Sequence, residues 1–335
     1  MKIFENIPLA THTTFKIGGP ARFFCSVKNE AELIEAIRFA KNNNVRFFIL
    51  GGGSNLLVSD QGFSGLVIKI EIAGISYDGD RVRAAAGEYW DELVKNTVER
   101  GFFGLENLSA IPGTVGAAAV QNIGAYGVDL SNVLESVRVL DTETSKFTDL
   151  SRDECKYGYR DSIFKQQKGR YVITQVTFLL NKHGRTNIAY KDLADYFNKI
   201  NVASPTPEQV RQAVIEVRWH KLPDWKIWGT AGSFFKNPVI AAETFSKLKQ
   251  LYPDLPGFKE SDGRVKVSLG WILDKICNVK GLTKGRVSTY EKQALVIVAQ
   301  PEASASEVVE LSRELISKVR DKTGIEIEAE VEWVN

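Results

Sequence analysis

The sequence predicts an α+β protein, and three observations predict it. Helical and strand-like segments follow one another without a regular strand–helix–strand rhythm. The strand signals change character along the chain, some being short continuous apolar runs and others alternating. Small residues gather in a dense stretch at 109–127 rather than spreading through the elements.

Glu30 to Asn43 has helical periodicity in Leu33, Ile34, Ile37, Phe39 and Ala40, with Asn29 as N-cap and an asparagine run as its end. Val45 to Leu50 reads as a buried strand that meets three glycines at once, and Leu66 to Ile70 as a second strand. Further on, Arg81–Ala86 is a strand, Trp90–Glu99 a helix, and Val133–Leu140 and Tyr171–Leu180 are strands. The chain turns polar between 183 and 210. A helix from Thr206 to Val217 follows, starting near Pro207, and Lys221-Leu222-Pro223-Asp224 breaks the chain. Helices are predicted at 241–250, 268–277 and 304–323, and strands at 294–299 and 325–333. No repeat, heptad or low-complexity tract is visible.

The chain has 335 residues, enough for two or three domains, and 44% hydrophobic against 25% charged residues is ordinary for a globular protein. A net charge of +2, from 43 basic and 41 acidic residues, is too balanced for a general nucleic-acid binder. Cys25, Cys155 and Cys277 are far apart and form no CxxC pair, and the three histidines show no metal-ligand spacing. The cysteines read as small buried hydrophobes in a reducing compartment. The first residues lack the apolar stretch of a signal peptide, and no run approaches the ~18 apolar residues of a spanning helix. These features predict a soluble, cytoplasmic protein without membrane insertion or nucleic-acid partner, and no obligate protein partner is evident.

Five stretches carry chemistry. In Gly51-Gly52-Gly53-Ser54-Asn55 an apolar strand runs straight into glycines, which fit neither a Rossmann nor a Walker pattern. A tight turn and an anion cradle are both open there, because glycines let backbone N–H groups converge. Ile111 to Gly127 combines a Pro112-Gly113 turn, small residues, and polar Gln121 and Asn122 beside Gly124-Ala125-Tyr126-Gly127. That mixture favours a cofactor wall over close helix packing. Arg160 follows two aromatics, and spacing alone favours an ion pair with Asp161 over a carboxylate- or phosphate-binding role. Ser233 has no histidine base and no GxSxG elbow, which argues against serine-hydrolase chemistry. Glu326, Glu328, Glu330 and Glu332 alternate with apolar residues, the pattern of a strand with one acidic, solvated face.

Taken together and in this order, these stretches resemble the UDP-N-acetylenolpyruvoylglucosamine reductase family of flavoenzymes. The resemblance rests on Thr13–Gly19, Gly51–Asn55, Ile111–Gly127, Tyr157–Lys165, Gly232–Pro238 and Ile327–Val331, and so spans nearly the whole chain. It implies an FAD-binding fold of the vanillyl-alcohol-oxidase-like type, with subdomains at 1–70 and 71–220 and a tyrosine-bearing insert near 183–205. A UDP-sugar-binding α+β domain at 221–324 and a returning C-terminal strand at 325–335 complete that scheme. FAD is the implied cofactor, NADPH the co-substrate and a UDP-sugar the substrate. Gly51, Gly52, Gly53, Ser54 and Asn55, with Ile111, Pro112, Gly113, Thr114, Gly116 and Ala117, are implied to cradle the FAD pyrophosphate. Gln121, Asn122, Gly124, Ala125, Tyr126 and Gly127 are implied to line the flavin, with Arg218 at its pyrimidine edge. The implied catalytic residues are Arg160, Ser233 and Glu330. Tyr190 is implied as the lid residue, and Lys221, Asn237 and Gln293 as contacts to the UDP portion. Two departures stand out. Ala117-Ala118-Ala119 replaces serines or prolines, and Ala329 replaces a common proline. Another FAD-dependent oxidase or reductase on the same scaffold, and a non-catalytic nucleotide-sugar binder, are the competing readings.

Overall fold

A computed structural model describes residues 1–335, which divide into two compact units. The first comprises Met1–Ile7, Ala21–Gly53 and Phe63–His220. Its smaller sheet has the strand order Phe4–Pro8, Pro20–Val27, Phe63–Ile70, Phe47–Leu50, with parallel pairing among the last three. The helix Glu30–Asn42 packs on this sheet. Asn29 starts it, its side chain accepting the Glu32 N–H at 2.9 Å, and Leu33, Ala36, Ile37 and Ala40 form its buried face.

The larger sheet is antiparallel, in the order Lys146–Ser151, Leu134–Asp141, Tyr171–Leu179, Arg81–Ala85, Ile75–Asp78. One face buries Val82, Ala84, Val137, Val139, Val176 and Phe178. Trp90 opens the helix Trp90–Glu99 and lies against Phe178 with ring centroids 6.0 Å apart. Its indole N–H donates to the Leu108 carbonyl at 2.8 Å, so a large buried aromatic also satisfies its polar atom. A single hydrophobic cluster runs from Cys25 through Leu180 and joins both sheets.

Past Leu180 the first unit carries two helices, Lys191–Lys199 and Pro207–Lys221, over a separate cluster of Leu193, Phe197, Val210, Ala213 and Val214.

The second unit comprises Pro8–Pro20, Ser54–Gly62 and Lys221–Asn335. Its four-stranded antiparallel sheet runs Gly229–Ser233, Gln293–Ala299, Val287–Tyr290, Thr283–Lys284. A three-stranded sheet, Val239–Ile240, Val265–Val267, Gly257–Lys259, stands beside the helix Ala242–Leu251. The helix Ala305–Thr323 opens on a capping box of Ser304 and Glu307 and ends on left-handed Gly324. Its first two N–H groups, of Ala305 and Ser306, donate to the Asp60 carboxylate at 2.7 and 3.0 Å. The two early stretches are thus built into this unit: Thr230 N–H donates to the Thr14 carbonyl at 3.0 Å, and Glu332–Val334 pairs in parallel with Leu56–Val58.

Several expectations need correction. The extended run 325–333 is not one strand; only Glu332–Val334 is regular, with a lone bridge from Ala329 to Phe235. Its alternation records burial, because Ile325, Ile327 and Val331 enter the second core, and burial alone does not make a ladder. The 268–277 helix is one α turn, Leu269–Trp271, followed by a π-helical turn, Ile272–Ile276, with Cys277 N–H donating to the Ile272 carbonyl at 2.9 Å. The polar insert contains the helix Lys191–Lys199, and the next helix continues beyond Val217 to Lys221. Cys25 and Cys155 are buried, but Cys277 is only half-buried. Burial pushes the Cys25 and Cys155 thiols up to about 12, which makes both unreactive. No helix is long and apolar enough to cross a membrane.

Candidate active site

In the first unit, the glycine turn after Phe47–Leu50 lies face to face with the Pro112-Gly113 turn. A β-carbon at Gly52 would sit 2.6 Å from the Gly113 Cα, and one at Gly51 would sit 2.7 Å from Thr114 Oγ1. Glycine is therefore required by close backbone approach, not merely by turn geometry. The second turn is fixed from behind. Gly113 accepts the Trp90 N–H at 3.0 Å, Val115 N–H donates to Glu88 and Gly116 N–H to Ala86, both at 2.9 Å. Gly116 has no room for a β-carbon, which would stand 2.8 Å from that of Ala86. Ala110 precedes Ile111 in the left-handed region (φ 57°), and Asp91 Oδ1 accepts its N–H at 2.6 Å.

Thr114 is buried, yet its hydroxyl has no hydrogen-bond partner and does not cap the helix Val115–Gln121. A buried unpaired hydroxyl is costly unless a ligand supplies the partner. An orphaned hydroxyl beside two glycine turns fits the pyrophosphate of a dinucleotide cofactor. Only Gly51, Gly52 and Gly53 of the first turn belong to this unit, since Ser54 and Asn55 begin a stretch of the second.

Arg160 lies beside the expected cofactor wall. Its own backbone is left-handed (φ 52°), and its guanidinium donates to the Asn122 carbonyl (3.2 Å), to Asp129 (3.0 Å) and to the Gly124 carbonyl. An ion pair runs to Asp129, and the carboxylate of the neighbouring Asp161 accepts from the Ser162 N–H and the Gln166 side chain. Asn122 braces this arrangement, donating to the Gly158 carbonyl at 2.8 Å and accepting the Ser131 N–H at 3.1 Å. Lys165 bridges Gln121 Oε1 (2.9 Å) and the Arg160 carbonyl (3.0 Å). Gly124 is locked by its neighbours, because a β-carbon would come within 2.6 Å of the Arg160 guanidinium. Ala125 pairs with Val128 across the short turn that follows.

Tyr126, Tyr190 and Arg218 come together. The two tyrosine rings meet edge to face at 5.4 Å, and a β-carbon at Gly127 would touch that of Tyr190 at 3.9 Å. Tyr190 precedes the helix Lys191–Lys199, and its carbonyl accepts the Leu193 and Ala194 N–H groups at 2.9 Å. Burial pushes the Tyr126 phenol up to about 12, so it is uncharged at neutral pH. Burial also pulls the Arg218 guanidinium below its ordinary value, opposed by the Tyr126 hydrogen bond and the Asp91 charge. Burial pushes the Asp91 carboxyl up, but Arg211, at 2.5 and 3.0 Å, together with the Ala110 N–H holds it below the usual range.

In the second unit, Ser233 ends the strand Gly229–Ser233 and lies opposite Val296. The adjacent Phe234 carbonyl accepts the Glu330 N–H at 2.8 Å, which brings the Ser233 and Glu330 backbones side by side. Asn55 closes the same place, donating to the Glu330 carbonyl at 3.0 Å and accepting the Glu332 N–H at 2.9 Å. Asn237 Oδ1 accepts the Leu269 N–H at 2.9 Å. A β-carbon at the next residue, Gly270, would lie 2.9 Å from Gln293 Oε1, so Asn237 and Gln293 flank one turn. Lys221 is the last residue of the helix Pro207–Lys221.

Sequence reasoning did not single out Asp91, Asn107 or Asp129. Nothing local marks them, since each acts on a backbone or side chain that the fold brings from elsewhere.

Comparison with known proteins gives concordant results along the chain. The FAD binding domain family matches residues 21–151, and the family described as UDP-N-acetylenolpyruvoylglucosamine reductase, C-terminal domain, matches residues 223–334. The UDP-N-acetylenolpyruvoylglucosamine reductase of Paraburkholderia phymatum is 41% identical, covering 98% of this chain and 97% of the relative. That of Neisseria gonorrhoeae is 42% identical, covering 97% and 96%. Among solved structures, the reductase of the same name from Thermus caldophilus superposes with a TM-score of 0.72 at 25% identity over 100% of both chains.

Proposed function

The chain belongs to the UDP-N-acetylenolpyruvoylglucosamine reductase family, and we propose that it reduces the enolpyruvyl group of UDP-N-acetylglucosamine enolpyruvate to give UDP-N-acetylmuramate, using FAD and NADPH, in peptidoglycan precursor synthesis. The observation that carries this reading is the identity with reductases of that name over nearly their whole length. The bacterial origin of these relatives supports a bacterial cytoplasmic setting.

The residues present fit the cofactor. Gly51, Gly52, Gly113 and the orphaned Thr114 hydroxyl would hold its pyrophosphate, and Gln121–Gly127 and Arg218 its ring system. Bound FAD supplies the hydride relay between NADPH and the vinyl carbon of the substrate. Arg218 offers a buried cation, which favours negative charge beside it. Arg160 is held in place by three acceptors and is assigned to the substrate carboxylate, toward which it would hold a fixed positive charge. Glu330, which as a carboxylic acid could donate a hydrogen bond, is assigned to the negative charge that develops on that carboxylate when hydride is transferred. Ser233 is assigned the delivery of a proton to C2 of the enolpyruvyl group, a step worth ~10²–10⁴-fold. Tyr190, Lys221, Asn237 and Gln293 are assigned to the nucleotide portion.

The test is spectroscopic. NADPH added without oxygen should bleach the flavin absorbance, and the enolpyruvyl UDP-sugar should restore it. In Ser233→Ala, bleaching should proceed normally while restoration slows by ~10²–10⁴-fold. Bleaching without restoration in the native protein would remove the assigned substrate, and oxygen-dependent turnover in a parallel aerobic run would indicate an oxidase.

A further inference from the structure

We infer that Asn107 is a positioning residue that latches the tyrosine-bearing insert to the flavin wall, and so sets the enzyme's affinity for its nucleotide-sugar; this rests on the function proposed above. Asn107 sits in the 3-10 turn Glu106–Leu108 and is 1% exposed. Its amide donates both hydrogens to backbone carbonyls from distant stretches: to Tyr126 at 3.0 Å and to Asn187 at 2.7 Å. One side chain thus ties the Gly124–Gly127 segment to the segment leading into Tyr190. A second tie runs back, from the Asn187 amide to the Gly127 carbonyl at 3.3 Å.

The latch adds to a small set of restraints on this part of the insert: the Thr186 hydroxyl donates to the Pro205 carbonyl at 3.0 Å, and Tyr126 and Ile188 pack against the small cluster beneath it. Arg185, Asn187, Ala189, Tyr190 and Lys191 are all exposed. The hydrophobic cluster under the insert begins only at Ile188 and Leu193. By contrast, the turn that carries Asn107 is rigid: Leu105 and Leu108 are buried, and Glu106 accepts the Gly104 N–H at 2.6 Å. The edge-to-face contact of Tyr126 with Tyr190 is therefore held from behind by a fixed point. A buried amide that satisfies two carbonyls cannot be replaced by an acceptor without setting oxygen against oxygen. Asn107 touches neither substrate nor cofactor on this reading; it acts through Tyr126 and Tyr190.

Asn107→Asp keeps the size of the side chain and removes both donors. In FAD-bound Asn107→Asp, KM for the enolpyruvyl UDP-sugar should rise ~10-fold while kcat stays within ~3-fold. Flavin reduction by NADPH should keep its native rate, and trypsin should cut faster after Arg185 and Lys191. Asn107→Ala, which removes the donors without adding an acceptor, should show the same pattern more weakly. Unchanged KM and unchanged trypsin cleavage in folded, flavin-bound variants would overturn the latch. So would an equal loss in both half-reactions, or failure of both variants to retain FAD, since either would make Asn107 a general structural residue. If the native protein does not reduce the sugar at all, the proposed function fails, and the trypsin comparison still decides the latch by itself.

Discussion

Two regions of the first unit are both assigned to ligand handling, and they are built in opposite ways. The glycine cradle is made of backbone against backbone, with Gly51 and Gly52 pressed on Gly113 and Thr114 and no space for a β-carbon. It hangs on the main hydrophobic cluster through Trp90. The insert around Tyr190 is made of side chains over five buried residues, Leu193, Phe197, Val210, Ala213 and Val214. At ~1.5–3 kcal/mol for each fully buried large side chain, such a cluster holds a helix pair in place but leaves it the easier region to open. A cofactor that stays bound through many turnovers suits the first construction, and a substrate that enters and leaves suits the second.

The comparison can be broken by substitution. The largest effect is expected from Gly52→Val, whose β-carbon alone meets the Gly113 backbone at 2.6 Å. FAD affinity should fall by at least ~100-fold, read by flavin content after gel filtration, because backbone cannot yield as a side chain can. Phe197→Ala should cost ~3–5 kcal/mol, confined to the insert, with faster hydrogen exchange across 188–215 and FAD retained. If that variant loses FAD as well, the two regions are not energetically distinct. The smallest effect sharpens the picture. Thr114→Val keeps the shape and removes the orphaned hydroxyl, so FAD binding measured by fluorescence titration should weaken ~10-fold. No change would mean that the hydroxyl finds no partner on the cofactor.

Legibility in the sequence follows the same division. The helices Glu30–Asn42 and Trp90–Glu99 could be read because local signals set them, an N-cap asparagine in one and apolar spacing in the other. The helix Lys191–Lys199 was hidden in a polar stretch, although Leu193 and Phe197 lie four apart and share its buried face. The run 325–333 misled because alternate burial and strand pairing give one pattern in sequence. Gly51–Gly53 announced a close approach but not its partner, which lies some sixty residues on at Gly113. Asn107, Asp91 and Asp129 were silent, since a bracing residue is defined by what folds against it. The same holds for the bond from Asn55 to the Glu330 carbonyl.

That last bond has a consequence for how the chain is made. Asn55 and Glu330 are 275 residues apart, and the strand Leu56–Val58 pairs only with Glu332–Val334. At ~5–20 residues per second, a ribosome needs about 14 to 55 seconds to supply that partner. For most of that interval Leu56, Leu57 and Val58, all buried in the finished protein, are present without their partner strand. This part of the second unit therefore cannot close until Glu332–Val334 has been made, and Leu56–Val58 is an apolar segment that stays open to non-native contacts until then.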